Sequence, residues 1–206
     1  MNILILGATG RVGQKIVENA LSDGHHVHAL VRSPAQLEIK NEHLSIFQGN
    51  VVNEKDIRRA IDGCDMVISA LSTDGGTALS DSIHHIITTM KAKGIKRIVA
   101  IGTAGILQSR GEPDKLRYET SESRRSLTRA AKEHFNVYEA LQSSGLDWTI
   151  VCPTYLPDGE AMGHYRVEKD FLPEGGKKIN VDDVANFAYA QLMDTAYNKS
   201  RVGIAY

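Results

Sequence analysis

The sequence predicts a doubly wound α/β fold with a mainly parallel sheet, and its first residues carry the clearest evidence. Residues 2–6 are a short apolar run that ends at Gly7, as a strand buried on both faces does. Glycines recur at positions 10 and 13, and apolar residues then follow at helical spacing, namely Val12, Ile16, Val17, Ala20 and Leu21. The glycines therefore lie on a strand-to-helix turn that opens a βαβ unit.

The rest of the chain continues this alternation of strand and helix. Short apolar runs predict further strands at residues 26–31, 43–47, 65–70, 96–101 and 147–152. Apolar residues at helical spacing predict helices at residues 54–61, before Gly94, at 126–143 and from Val181 onward. Residues 201–206 are a candidate edge strand. No shift in composition marks a linker, so residues 1–206 are expected to form one Rossmann-like domain.

Two stretches have no regular pattern. Residues 108–124 are polar and contain Gly111 and Pro113, so we expect a poorly ordered lid over the site. Residues 155–178 are rich in proline and glycine and are expected to be irregular. We therefore assign the segments of about 104–124 and 154–178 to the substrate side of the domain.

The composition, 42% hydrophobic and 24% charged, is that of a soluble globular protein, and a net charge of −1 argues against nucleic-acid binding. No apolar run approaches the roughly 20 residues of a membrane span, and the apolar N-terminus breaks too early for a signal peptide. Cys64 and Cys152 lie in or beside apolar runs, which favours reduced core thiols in a cytoplasmic protein. No histidine has ligand partners at metal spacing, so no metal site is predicted.

The glycine turn indicates a dinucleotide cofactor, although an ordinary tight turn is an alternative. Glycines let a pyrophosphate approach the backbone amides and the positive end of the helix. Ligands of doubly wound sheets bind at the carboxyl ends of the strands. The predicted cofactor-binding residues are therefore Gly7, Thr9, Gly10, Arg11, Val12, Gly13, Arg32, Ser33, Asn50, Val51, Ala70, Leu71, Ser72, Thr103, Pro153, Thr154 and Tyr155.

Arg32 favours NADP(H) over NAD(H). Folds that prefer NAD usually place an acidic residue at the end of the second strand, where it accepts from the ribose hydroxyls. Here that position is basic and is followed by Ser33, and a guanidinium with a hydroxyl suits a 2′-phosphate. Arg11, inside the glycine turn, offers a second positive charge. The alternative is that Arg32 is a solvated loop cation.

Thr103 and His134 are the candidate catalytic residues. Thr103 follows the fifth strand, so its hydroxyl is placed to bond a substrate carbonyl or a nicotinamide group. It could equally satisfy the backbone of the turn. His134 lies on the helix before the sixth strand, where it could approach the nicotinamide ribose or shuttle a proton. The alternative is a partly exposed helix histidine.

With these residues in place, the chain resembles the short-chain dehydrogenase/reductase superfamily, and within it the atypical, NAD(P)H-binding NmrA-like branch. The resemblance covers nearly the whole chain, in the stretches GATGRVG at 7–13, HALVRS at 28–33, IVAIGTAG at 98–105, SGLDWTIVCP at 144–153 and INVDDVANF at 179–187. Within the branch the chain is most similar to the biliverdin-IXβ and NADPH-flavin reductases. In them a serine occupies the position of Thr103 and a histidine that of His134. The resemblance implies hydride transfer from NADPH, with protons drawn largely from solvent.

One departure from the superfamily limits the expected chemistry. Most members carry a Tyr-x-x-x-Lys pair on the helix before the sixth strand, where the lysine lowers the pKa of the tyrosine for proton transfer. On that helix, Tyr138 is followed four residues later by Gln142, and Arg125 by Arg129, so neither pair is a tyrosine with a lysine. Tyr165 and Lys169 match the spacing, but they lie after the sixth strand, so we interpret the match as accidental. Acceptors reduced by hydride alone, such as flavins, quinones or tetrapyrroles, are therefore favoured over alcohols and sugars.

Two functions remain open on the sequence. One is an NADPH-dependent reductase of a planar conjugated acceptor. The other is an NADP(H)-sensing regulator without turnover, which the NmrA-like resemblance allows. A sugar-nucleotide epimerase is the weakest alternative, because the tyrosine–lysine pair is missing. The expected partner is a small-molecule substrate, and the expected oligomeric state is a monomer or a weak homodimer.

Overall fold

The computed structural model describes residues 1–73, 75–123 and 128–206 and builds them around one eight-stranded sheet. The strands are β1 (Asn2–Leu6), β2 (His26–Val31), β3 (Leu44–Gln48), β4 (Met66–Ser69), β5 (Arg97–Ile101), β6 (Asp147–Pro153), β7 (Arg166–Lys169) and β8 (Ser200–Ala205). The helices are α1 (Arg11–Ser22), α2 (Glu54–Ala60), α3 (Ala78–Ala92), α4 (Arg129–Gln142) and α5 (Val181–Ala190). The strand order is β3-β2-β1-β4-β5-β6-β8-β7. The predicted doubly wound α/β fold is therefore confirmed.

The apolar runs form two cores because alternate residues of each strand face opposite sides of the sheet. In β1, Ile3 and Ile5 pack in the core that α1 and α5 cover. Leu4 and Leu6 pack in the core under α2, α3 and α4. All four side chains are fully buried, so β1 is covered on both faces as a central parallel strand must be.

The C-terminal strand differs from the prediction. We expected residues 201–206 to form an edge strand, but β8 lies inside the sheet, parallel to β6 and antiparallel to β7. β7 was missed within the segment predicted as irregular. It is a four-residue strand of mostly polar sequence, so neither length nor apolar periodicity marks it. Pairing with β8, with Val167 opposite Ile204, decides its structure.

Residues 108–123 also differ from the poorly ordered lid that their polar composition predicts. Glu122 organises them by accepting hydrogen bonds from the hydroxyl of Ser109 at 2.7 Å, the amide of Gly111 at 2.8 Å and the guanidinium of Arg117 at 2.6 Å. The polar side chains bond one another, so the segment gains structure without a large apolar core. Residue 124 and the predicted helix start at 126 lie outside the described residues.

Candidate cofactor and acceptor site

The turn between β1 and α1 uses its three glycines for different purposes. Gly7 has a φ of +80°, and a Cβ there would lie 2.5 Å from the carbonyl oxygen of Ala70, so only glycine fits. A Cβ on Gly13 would lie 2.1 Å from the carbonyl oxygen of Gly7, so this glycine lets α1 pack against the turn. Gly10 is exposed, and its Cβ would lie 3.3 Å from the same oxygen. Gly10 therefore leaves open the approach to the N-terminus of α1, which suits a phosphate.

A cavity of about 160 Å³, here named the glycine-turn cavity, lies at the carboxyl ends of β1 to β4. It brings together nine of the predicted residues, namely Gly7, Thr9, Gly10, Arg32, Asn50, Val51, Ala70, Leu71 and Ser72. It adds four residues that the sequence reasoning missed, namely Leu30, Val31, Gly49 and Ala78. Three of these four adjoin predicted strand ends. The cavity can hold the adenosine and phosphate half of a dinucleotide.

Asp56 of α2 fixes the loop after β3 that contributes to this cavity. Its carboxylate accepts from the amide of Asn50 at 2.9 Å. A Cβ on Gly49 would lie 2.7 Å from the Asp56 carboxyl carbon, so the glycine makes room for that contact. Sequence reasoning missed Asp56, because its role depends on the fold of the β3–α2 loop.

Six predicted cofactor-binding residues line neither this cavity nor a larger one beyond the ends of β5 and β6, namely Arg11, Val12, Gly13, Ser33, Thr103 and Pro153. Arg11 donates to the carboxylate of Asp158 at 2.7 Å and to the carbonyl oxygen of Leu156 at 3.1 Å. Its guanidinium is thus bonded to the segment after β6. Val12 and Pro153 are buried, the first in α1 and the second at the end of β6.

A second cavity, of about 520 Å³ and here named the β5–β6 cavity, lies beyond the ends of β5 and β6. Its lining residues are Ala104, Gly105, Arg117, Tyr118, Glu122, Ser123, Thr128, Ala130, Ala131, Thr154, Tyr155, Gly175, Gly176 and Lys177. Thr154 and Tyr155 were predicted as cofactor-binding residues. The charged and aromatic residues of the segments 117–123 and 175–177 were not predicted individually, because those segments carry no periodic pattern. This cavity can hold an acceptor beside the cofactor.

The charges of the β5–β6 cavity are unevenly compensated. Arg117 and Glu122 form an ion pair at 2.6 Å, and burial lowers the pKa of Arg117. Burial alone would raise the pKa of Glu122, but hydrogen bonds from Gly111 and Ser109, with the charge of Arg117, hold it below its usual value. Glu122 is therefore an ionised and paired carboxylate. Lys177 adds a second cation on the cavity wall.

Thr103 lies at the end of β5, half-buried, and its hydroxyl accepts from the amide of Gly105 at 3.4 Å. This contact caps the short turn 104–106 and matches the alternative in which the hydroxyl serves the backbone. The next two residues, Ala104 and Gly105, line the β5–β6 cavity. Thr103 is thus next to the cavity wall, and its catalytic role stays a prediction.

His134 lies on α4 but lines neither cavity. Burial lowers the pKa of His134 to about 4. The imidazole is therefore neutral near pH 7 and carries no proton to deliver from a charged form. Its predicted role in proton transfer is untested.

The remaining predictions concern metals, thiols and membranes. Across the three described ranges, no three histidine, cysteine, aspartate or glutamate residues are grouped to hold a metal ion. In the same residues, none of the helices has the length and apolar character needed to cross a membrane. Cys64 and Cys152 are free and buried, and burial raises the pKa of each thiol to about 12. Both thiols are therefore protonated at neutral pH.

Comparison with known families agrees with the geometry of the glycine turn. A family model described as NAD(P)H-binding matches residues 7–195. The chain belongs to this NAD(P)H-binding family. The match spans the glycine turn, both cavities and the helix α5, and it fits the resemblance to the atypical, NmrA-like branch of the short-chain superfamily.

Individual relatives are reductases or proteins of less defined activity. The chain is 28% identical over 203 residues to (4-alkanoyl-5-oxo-2,5-dihydrofuran-3-yl)methyl phosphate reductase of Streptomyces griseus, covering 95% of this chain but 64% of that protein. A "putative NADH-flavin reductase" of Streptococcus pneumoniae superimposes with a TM-score of 0.82 and 26% identity, over 100% of this chain and 99% of that one. A "Putative exported protein" of Burkholderia pseudomallei gives a TM-score of 0.85 and 25% identity over 100% of both chains.

Proposed function

We propose that the protein is an NADPH-dependent reductase that transfers hydride to a planar conjugated acceptor, such as a flavin, a quinone or a tetrapyrrole like biliverdin. The observation that carries the proposal is the pair of cavities at the same edge of one sheet. The glycine-turn cavity suits the adenosine and phosphate half of NADPH. The β5–β6 cavity then lies where a nicotinamide and an acceptor can stack. Membership of the family supports the cofactor class.

The β5–β6 cavity favours a planar acceptor that carries an anionic group. Its volume is in the range of small-molecule sites, and Tyr118 and Tyr155 supply aromatic surface. Because Glu122 is already paired with Arg117, Lys177 supplies additional positive charge. The Streptomyces relative is named as a reductase of a phosphate ester, which agrees with an anionic substituent.

Hydride transfer to a conjugated ring explains how the site works without a tyrosine–lysine pair. Tyr165 packs edge-on against Phe187 at 5.9 Å between ring centroids, and Lys169 is exposed at the end of β7, so neither lines a cavity. A flavin accepts hydride into its ring and takes its proton from water. The protein then has to align two rings, and proximity of this kind is a large rate effect.

The proposal predicts that no single polar side chain is essential. Thr103→Ala and Tyr118→Phe should each lower the rate of NADPH-dependent flavin reduction about two- to tenfold, which corresponds to the loss of about 0.5–1.5 kcal/mol from one neutral hydrogen bond. His134→Ala, at a residue that lines neither cavity, should stay well within about a hundredfold of wild type. The measurement is steady-state NADPH oxidation with FMN or riboflavin. A loss of a thousandfold in any of the three would identify an essential acid and contradict the proposal.

The cofactor preference is the second part of the proposal. Arg32 stands at the end of β2 on the wall of the glycine-turn cavity, where the 2′-phosphate of NADPH would lie. An arginine there supports a preference for NADPH over NADH.

An NADPH oxidation assay with FMN, riboflavin, a panel of quinones and biliverdin decides between catalysis and sensing. Turnover of any of these acceptors by wild type, lost in Gly10→Val, would support the reductase. Tight NADPH binding without turnover of a flavin, quinone or tetrapyrrole would favour the NADP(H)-sensing regulator instead.

We also propose a cytoplasmic monomer or weak homodimer that binds no nucleic acid. Two buried, protonated and unpaired thiols support a reducing compartment. A net charge of −1 supports the absence of a polyanion-binding surface. Light scattering after size exclusion would measure the oligomeric state.

A further inference from the structure

The first turn of α4 contacts both the β5–β6 cavity and the loop before α3. Ala130 and Ala131 line the β5–β6 cavity. Arg129 instead donates to the carbonyl oxygens of Gly75 and Gly76, with a distance of 2.8 Å to Gly76. The same turn of helix therefore lines the β5–β6 cavity with two alanines and holds the loop before α3 with an arginine.

Glu133, one turn further along α4, makes a second contact in the same direction. It is 8% exposed, and its carboxylate accepts from the hydroxyl of Ser80 at 3.0 and 3.1 Å and from the amide of Ser80 at 3.2 Å. Ser80 lies in the first turn of α3, where the helix dipole favours a negative charge. A buried carboxylate bonded in this way holds its partners firmly, because separating them would leave a buried charge unsatisfied.

The residues held by α4, here named the 75–80 segment, also contribute to the glycine-turn cavity. Ala78, inside this segment, lines the cavity together with residues 71–72 at the end of β4. The segment that two side chains of α4 hold therefore also forms part of the wall that a nucleotide in this cavity would contact.

We propose that Arg129 and Glu133 are positioning residues that transmit nucleotide binding at the 75–80 segment to the turn of α4 that walls the acceptor. Thermodynamic linkage requires the reverse effect to be equal, so the acceptor tightens nucleotide binding by the same factor. Coupling of this kind is typically about 5- to 150-fold in affinity. The inference rests on the proposed function only for the identity of the acceptor.

The first experiment needs only the nucleotide. Amide hydrogen exchange of the full chain is measured by mass spectrometry with and without NADP⁺. In wild type, NADP⁺ should slow exchange at the glycine turn, in the 75–80 segment and at residues 128–133. Arg129→Gln should keep the effect at the glycine turn and lose it at 128–133. Lys132→Gln, a change at an exposed lysine of the same helix, is the matched control and should behave as wild type.

Ser80→Ala is the second variant, because it removes the hydroxyl partner of Glu133 with little change in volume. It should reduce the effect of NADP⁺ at 128–133 even if Arg129→Gln does not fold. Wild-type protection of 128–133 in both variants would overturn the inference, and so would the absence of that protection in wild-type protein that binds NADP⁺.

The second experiment adds the acceptor. The riboflavin dissociation constant is measured by fluorescence quenching with and without saturating NADP⁺, whose oxidised ring prevents turnover. NADP⁺ should tighten riboflavin binding at least about fivefold in wild type and less than about twofold in Arg129→Gln. The ratio of the two dissociation constants within each protein measures the coupling, so a change in riboflavin binding without nucleotide does not affect the comparison. If no flavin, quinone or tetrapyrrole binds to wild type, the proposed function fails, and hydrogen exchange alone still decides the inference.

Discussion

At the scale of single residues, the charge of Arg32 is expected to set the choice of cofactor. Arg32→Ala should weaken NADPH binding roughly ten- to a hundredfold, the loss of a charge-assisted contact of about 1.5–3 kcal/mol, and leave NADH nearly unchanged. Titration calorimetry with both cofactors measures the two effects. Lys91→Ala is the control for loss of a positive charge, because Lys91 is exposed near the end of α3 and lines neither cavity, and it should leave both affinities unchanged. Equal losses of affinity for the two cofactors in Arg32→Ala would contradict the role of Arg32 in selecting NADPH.

His134 is expected to make the folded state sensitive to acid. Its pKa is about 4 in the folded protein and about 6.5 when unfolded, so between these values the unfolded chain binds the additional proton. Its contribution to stability is therefore complete above pH 6.5 and is lost as the pH falls toward 4. Between pH 7 and pH 5 the loss should be roughly 2 kcal/mol, measured by urea unfolding.

Two variants separate His134 from other titrating groups. His134→Phe should flatten this part of the pH dependence, because no proton can then bind at that position. His84→Gln, a change at an exposed histidine of α3, should leave the pH dependence of the free energy of unfolding as in wild type. Identical pH profiles for wild type and His134→Phe would show that His134 titrates normally in the folded protein.

At the scale of elements, the glycine turn separates cofactor binding from folding. Gly10→Val should fold, because a Cβ at 3.3 Å from the nearest carbonyl needs only a small shift, yet its side chain occupies the space that a pyrophosphate needs. Gly13→Ala should cost about 3 kcal/mol or more, since its Cβ would lie 2.1 Å from a backbone oxygen. Thermal unfolding and NADPH titration measure the two properties. Unchanged NADPH affinity in folded Gly10→Val would show that the turn is only structural.

The elements also show where sequence patterns do not predict the structure. The helices α1, α3 and α5 were predicted from apolar residues at helical spacing, and Val12, Ile83 and Val184 are buried as expected. β7 and residues 108–123 have no such pattern. Their structure depends on distant partners, the strand β8 in one case and the carboxylate of Glu122 in the other.

At the scale of the whole molecule, the strand order makes β8 an interior strand and β3 an edge strand. Ile204→Ala in β8 should therefore lower the free energy of unfolding by about 2–5 kcal/mol, because its side chain is fully buried. Ile46→Ala in β3, where the side chain is 39% exposed, should cost less than about 1 kcal/mol. Urea unfolding of both variants measures the difference. Equal losses would contradict the interior position of β8.

The sequence alone determined the doubly wound fold and most of the residues that line the glycine-turn cavity, the proposed nucleotide site. Both depend on local regularities, namely strand runs that end at glycines and helices with one apolar face, which neighbouring residues along the chain specify. Gly7, Arg32 and Ala70 come together in the glycine-turn cavity because the carboxyl ends of parallel strands meet at one edge of a sheet.

Only the tertiary structure decided the β5–β6 cavity, the proposed acceptor site. Arg117, Tyr118 and Lys177 come from irregular segments, so no periodicity could bring them together before those segments were placed. The tertiary structure also decided that Arg11 bonds to Asp158, which is 147 residues away, and that β7 pairs with β8. Such contacts depend on the long-range packing of segments whose local sequence allows many conformations, whereas the glycine turn is constrained by its own residues.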